Sequence, residues 1–147
     1  MSEKKAKAKR KTPDSIKYWK KKAWTEFSIF IRNRDALATT DDTENAICCT
    51  CDTSYSVKKL QAGHFIPGRR NSILFEERGC HAQCYNCNIN LKGNPRKYQK
   101  YMFNRYGQEV IDELDKLSEQ TVQMKWFDFK EIYEKYKMLN NQMPESL

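Results

Sequence analysis

Ile16, Trp19, Ala23, Phe27 and Phe30 recur at spacings of three and four residues, mostly with polar residues between them. That stripe predicts an amphipathic helix. It opens near Pro13–Asp14–Ser15 and runs to about Asp35, within a first unit over residues 13–38. Thr39–Asn45 is polar and acidic and reads as a loop. From Ile47 to Cys87 the helical period stops. Cysteine pairs, Gly63, Pro67, Gly68 and Gly79 cut the chain into short pieces. Val57–Phe65, Ile73–Phe75 and the segment before Cys84 read there as short strands. Helical cues return after Cys87, first as a short helix from Asn88 to Gly93. Pro95 suits the first turn of a helix over 95–106 that Gly107 ends. A further helix runs from Gln108 to Leu117, with Val110, Ile111, Leu114 and Leu117 on one side. A last one covers 125–140, with Trp126, Phe129, Tyr133 and Tyr136 as its stripe. These aromatic stripes read as core rather than as a base-stacking surface. The expected fold is α+β: a small core over residues 46–94, the helix before it, and a helical region over 95–147.

Composition narrows the picture. Of 147 residues, 39% are hydrophobic and 31% charged, so the core is modest and a metal cross-link would help it. No run of 18 apolar residues exists, which excludes a membrane-spanning helix. The N-terminus is basic without an apolar stretch, so it does not read as a signal peptide, and an intracellular protein is expected. In a reducing compartment six cysteines point to metal before disulfides. The net charge of +8 is unevenly placed. Residues 1–22 hold ten Lys/Arg against two acids, and residues 58–105 again hold ten against two. Residues 1–12 read as a disordered basic arm. A polyanion is the natural partner of two such patches; the plain alternative is solubility charge.

Cys48-x-x-Cys51 and Cys84-x-x-Cys87 are two knuckles. A two-residue gap lets both thiolates of a tight turn face one ion. Two turns then supply the four soft ligands of structural Zn²⁺. Cys49 reads as a flank of the first turn and Cys80 as a small buried side chain. A closed four-thiolate site does no chemistry itself, so the residues around the knuckles must carry any activity.

The chain has only two histidines, His64 and His81, and both lie between the knuckles. Asn88 follows the last Cys directly. A neutral imidazole takes a proton from water at neutral pH. An amide oxygen and a second imidazole can hold a divalent ion, which stabilises the leaving oxygen of a cleaved phosphodiester. His64, Asn88 and His81 are the candidate catalytic residues, and Asn88 and His81 the candidate ligands of a catalytic Mg²⁺ or Mn²⁺. Each has a structural alternative: a hydrogen-bonded core histidine, or an asparagine capping a helix.

The ordered set Cys-x-x-Cys, Gly63-His64-Phe65-Ile66-Pro67 and Cys80-His81-Ala82-Gln83-Cys84-Tyr85-Asn86-Cys87-Asn88 resembles the HNH nucleases of the ββα-metal type. Within them it is most similar to the NinG/Rap recombination proteins of lambdoid phages. Arg32-Asn33-Arg34-Asp35 shares the likeness, which is strongest over Cys48–Gly93 and continues to about Leu117. The resemblance implies a zinc-braced ββα-metal core, with His64 as general base at the end of a strand. It implies Asn88 as metal ligand at the start of the α element, and branched recombination intermediates as substrate. Two positions depart from the pattern. Gly63 stands where many HNH enzymes carry a metal-binding Asp, which leaves His81 as the substitute ligand. Gly79 stands near the place of the middle Asn, for which Asn71 is a substitute at shorter spacing.

Arg69, Arg70, Arg78, Lys92, Arg96 and Lys97 are the candidate phosphate contacts. No base-reading helix is evident, so recognition by DNA shape is expected. The resulting expectation is a metal-dependent endonuclease of branched DNA in phage recombination, acting in the cytoplasm of a bacterial host. Its partner is DNA and not a membrane. A homodimer would supply the two cuts that junction resolution needs, with the C-terminal aromatic helices as candidate interface. The competing readings are a non-catalytic zinc-containing DNA-binding recombination accessory and a zinc domain that docks to another protein.

Overall fold

The computed structural model describes residues 15–144; the basic arm expected over 1–12 lies outside them. Helix α1 covers Ile16–Thr40, capped by the Ser15 side chain at one end and by left-handed Asp41 at the other. It outruns the expected end near Asp35, because its last turns bury Asp35 and Ala36 against the strands rather than facing solvent. Two small antiparallel hairpins follow. The first pairs β1 (Asn45–Ile47) with β2 (Ser54–Ser56). The second pairs β3 (Leu60–His64) with β4 (Cys80–Cys84), in the register Leu60↔Cys84 to His64↔Cys80. Helix α3 (Pro95–Tyr106), α4 (Gln108–Glu119) and α5 (Trp126–Asn141) complete the chain. The fold is mixed α+β, with small hairpins flanked by helices.

Four details differ from the expected elements. The strand expected over Val57–Phe65 begins only at Leu60, because Val57–Lys59 forms a 3-10 turn. The 45–56 segment forms a hairpin that no alternation announces, since strands of three residues are too short to show a period. Ile73–Phe75 is not a strand: Asn71–Leu74 forms one turn of helix, α2, and it buries Ile73 and Leu74 together. From within the second knuckle the chain makes a π-helical turn over Asn86–Asn90 instead of a helix over 88–93. Lys92, Gly93 and Asn94 all take positive φ, so the helix stops before the Pro95 start of α3.

The outer edge of β4 is tied down by the Cys49 N–H, which donates to Ala82 O at 3.0 Å, and by side chains. Asp35 accepts a 2.7 Å bond from the Ala82 N–H, and Arg34 donates to the carbonyls of Glu77 (2.8 Å) and Cys80 (2.7 Å). Arg34 and Asp35 also pair with each other at 2.8 Å. This accounts for the Arg-Asn-Arg-Asp stretch: it bolts α1 to the strand that ends in the second knuckle. α5 packs along α1, with Phe27 and Phe30 against Tyr136 and Trp19 against Tyr133. The aromatic stripe proposed for a dimer interface is therefore spent largely within the chain.

Candidate metal centre and catalytic groove

The first hairpin exists to present the first knuckle. The Cys48 N–H donates to Thr53 O at 2.9 Å, and the Asp52 N–H returns to Cys48 O at 3.0 Å. Asp52 takes φ 59, the left-handed step that closes the turn. The second knuckle leaves the end of β4. The Sγ atoms of Cys48, Cys51, Cys84 and Cys87 all lie within 4.8 Å of one another. A Zn–S length of about 2.3 Å implies tetrahedral edges of about 3.8 Å, and the Cys51–Cys84 pair stands at 3.9 Å. Backbone N–H groups of Cys84 and Cys87 point at Cys48 Sγ and Cys84 Sγ, both at 3.4 Å, and Asn94 Nδ2 at Cys87 Sγ at 3.6 Å. Burial raises the Cys48 pKa, but hydrogen bonds from Thr50 and the Cys84 N–H outweigh it and bring it down to about 7. Donor chemistry, spacing and N–H···S bonds together fit a structural Zn²⁺ held by four thiolates. Cys49 instead packs against α3 and α4, and Cys80 is fully buried; burial pushes both thiols up.

His64 ends β3 on the face turned to α1. Its Nε2 lies 3.0 Å from Leu74 O. A carbonyl only accepts, so Nε2 carries the proton and Nδ1 keeps its lone pair. α2 is what returns the chain to supply that carbonyl. Burial lowers the His64 pKa and the Arg69 charge lowers it further, against an opposing effect of the Leu74 bond. The ring is thus neutral at pH 7. It stacks on Trp24 with centroids 5.1 Å apart and planes inclined by 25°.

Asn88 lies on the π-helical turn, where its Nδ2 donates to Gln61 Oε1 at 2.8 Å. Its Oδ1 has no partner among the described residues. Trp24, Ser28, Arg32, Gln61, Arg69 and Asn88 line one groove of about 400 Å³. Trp24 belongs both to this groove and to the His64 stack. His64 meets this groove only through Trp24; it lines a separate small cavity with Ile66, Ile73, Glu76, Gly79 and Leu114.

His81 goes elsewhere. It pairs with Gly63, on the face of the hairpin opposite His64, and is 1% exposed. The Tyr98 hydroxyl donates to Gly63 O at 2.7 Å, so in the 3.0 Å contact with Tyr98 it is His81 Nδ1 that donates. Nε2 then accepts from Tyr106 at 2.8 Å. Burial, and next the charges of Arg34 and Arg105, bring its pKa down to about 2. With both nitrogens committed, His81 has no lone pair for an ion, which corrects its assignment as ligand or catalyst.

Gly63 is closed to any side chain. A Cβ there would fall 1.9 Å from Gln83 Oε1. Gln83 is fully buried and donates to Thr50 Oγ1 (3.1 Å) and Gly93 O (3.0 Å), while its Oε1 has no partner. Asn71 does not replace the middle Asn: it donates to Val122 O, in the linker after α4. Backbone closes the loop instead, through the Phe65 N–H to Gly79 O at 2.9 Å.

The basic candidates divide. Arg78 is neutralised by Glu76 and Glu113, and Arg70 donates to Ser118 O at 3.0 Å. Lys92, Arg96 and Lys97 are exposed beyond the second knuckle. Arg69 alone of the six lines the groove, its guanidinium 4.4 Å from the Trp24 ring centroid. Sequence reasoning missed Trp24, Arg32 and Gln61. Trp24 had a visible signal: an aromatic residue off the apolar stripe of its helix.

Among the described residues no helix is long and apolar enough to cross a membrane. A family model described as "Bacteriophage Lambda NinG protein" matches residues 1–144. The chain is similar to protein ninG of Escherichia phage 933W, 34% identical over 99 residues, which cover 67% of this chain and 45% of that protein. The ninG proteins of Escherichia phage lambda and Salmonella phage P22 are 33% and 31% identical over 99 residues, 67% of this chain and 44% of theirs. The matched part thus spans less than half the length of these relatives, and no solved structure matches the chain. The family match runs through the described fold with both knuckles and the groove inside it, and the chain belongs to the NinG family.

Proposed function

We propose that this protein is a DNA endonuclease of the HNH, ββα-metal type, cutting branched recombination intermediates in the cytoplasm of the phage-infected host. The observation that carries the reading is the state of His64. It is a neutral imidazole at a strand end, its Nε2 proton held by Leu74 O and its Nδ1 unshared. That is the state a general base needs to take a proton from attacking water. Arg69, and behind it half-buried Arg32, give the groove positive charge for the scissile strand. The zinc cluster is a brace: four thiolates leave no open position for water or substrate.

The expected Mg²⁺ or Mn²⁺ is a separate matter. Magnesium usually takes one or two carboxylates besides water and phosphate. Asn88 Oδ1 is an available oxygen, but Gly63 offers none and His81 is committed. Among the described residues the metal-ligating group is the cysteine quartet. The side chains present do not fit a divalent-ion site made by this chain alone. That observation favours the second reading, a zinc-containing DNA-binding accessory protein that does not cut.

Cleavage of four-way-junction and linear duplex DNA, with Mg²⁺, Mn²⁺ or EDTA, separates the two. The nuclease reading expects junction-selective nicks that His64→Ala abolishes while binding persists. Tight junction binding without nicks under every condition would leave the accessory reading.

A further inference from the structure

We propose that Trp24 is the positioning residue for His64, and that Arg69, resting on the same indole, delivers the phosphodiester to that imidazole. The proposal rests on the nuclease reading, but its principal readout does not need cleavage.

One hydrogen bond fixes an atom, not a plane. With Nε2 held at Leu74 O, the ring is still free to turn about that contact, and the direction of the Nδ1 lone pair turns with it. Trp24 removes this freedom, since its indole lies nearly parallel to the imidazole, inclined by 25° at 5.1 Å. Trp24 is itself held, its ring 5.7 Å from buried Phe27 on the same helix.

Arg69 arrives by an unusual path. Gly68 has φ 109 and Arg69 has φ 48, two successive residues in the left-handed region. For a non-glycine residue that conformation is uncommon, and it persists where the surroundings impose it. Here the turn brings the guanidinium back to 4.4 Å from the indole centroid. Unlike Arg78, whose charge two carboxylates neutralise, Arg69 has no acidic partner among the described residues. Other groups near His64 are Glu76, which lines the same small cavity, and Cys80, its partner across the hairpin. Trp24, from α1, brings no charge. A phosphate bound at Arg69 would sit in the groove shared with Asn88 and would neutralise the cation beside the base.

The test is nitrogen-15 NMR of the histidines in the zinc-loaded full chain. With only two histidines, and His81 pushed down to about 2 by its burial, the imidazole that titrates at the higher pH is His64. Wild type is expected to show one Nε2–H tautomer and a midpoint below the ordinary 6.5. A short blunt DNA duplex should raise that midpoint. Trp24→Leu, which keeps apolar bulk, should mix the tautomers and move the midpoint up; Trp24→Phe, which keeps a ring, should preserve both. Arg69→Gln should keep the tautomer, raise the midpoint and abolish the response to DNA. Circular dichroism and zinc content establish that each variant is folded. On junction DNA, Trp24→Leu should lower kcat roughly tenfold to a hundredfold, part of the ~10²–10⁴ a general base supplies, while Arg69→Gln should mainly raise KM. Trp24→Leu with the wild-type tautomer and midpoint, or Trp24→Phe behaving as Trp24→Leu, overturns the proposal. If no variant cuts but the NMR pattern holds, the nuclease reading falls and the positioning stands.

Discussion

Gly63→Ala is the sharpest perturbation this fold offers. The new Cβ would lie 1.9 Å from Gln83 Oε1, 2.8 Å from its Cδ and 3.1 Å from its Cγ. Carbon contacts settle near 3.5–4.0 Å, so the amide must retreat by about 1.5 Å or more. Gln83 is fully buried, and its Nε2 bonds to Thr50 Oγ1 and Gly93 O are 3.1 and 3.0 Å long; such a retreat breaks them with no water at hand. Overpacking costs about 1–3 kcal/mol, and buried polar groups left unpaired about 1–3 kcal/mol more. The expected loss is about 3–5 kcal/mol, a large part of the ~5–15 kcal/mol that holds a typical domain. In a Gln83→Ala background the three atoms nearest to that Cβ are gone. The same substitution should then be neutral, or stabilising by about 0.5 kcal/mol as glycine leaves a strand. Urea denaturation of the four zinc-loaded proteins closes the cycle, with an expected coupling of about 3–5 kcal/mol, the difference between the two backgrounds. A cost below about 1 kcal/mol for Gly63→Ala, or additive single effects, would show that Gln83 does not guard this position.

Three further outcomes follow from the geometry. Gly63→Asp combined with Gln83→Ala should create Mn²⁺ binding beside Asn88 that wild type lacks, read by electron paramagnetic resonance; Gly63→Asp alone should not, because Gln83 still fills the space. One zinc per chain is expected by atomic absorption, retained in Cys49→Ser and lost with cooperative structure when Cys84 becomes Ser, since such a metal contributes about 10–16 kcal/mol in small zinc domains. His81 should make the fold acid-sensitive. Its folded pKa is brought down to about 2, so below the unfolded value of 6.5 the unfolded chain binds a proton that the native state refuses. Stability is then full above about 6.5 and falls toward 2 as the pH drops, by about 2 kcal/mol between pH 7 and 5. In urea titrations His81→Gln should flatten that slope by nearly one proton; an unchanged slope would mean His81 is charged in the native protein.

The parts of this molecule legible in its sequence are those that local chemistry decides. Pro95 and Gly107 bound α3 at the expected residues, because proline and glycine act on their own backbone. The cysteine knuckles converge because a two-residue gap leaves few other geometries. Ile73–Phe75 looked like a strand because three apolar residues carry no period, and burial of Ile73 and Leu74 chose a helical turn. The 45–56 hairpin was invisible for the same reason.

The site was half legible, and the division has a physical cause. His64 and Asn88 could be named because each sits beside a recognisable motif. Their partners could not, since those come from remote segments: Leu74 O from α2, the Trp24 ring from α1, Gln61 from the facing strand. His81 misled for the complementary reason. Its place between the knuckles suggested chemistry, yet strand alternation turns it to the opposite face from His64, where Tyr98 and Tyr106 use both nitrogens. The tyrosine that holds His81 also grips the Gly63 carbonyl, while Gln83 excludes a side chain at the same residue. Position 63 is thus fixed from both its carbonyl and its missing Cβ. The absent carboxylate is built into the packing of the hairpin, and restoring it requires changing Gln83 as well.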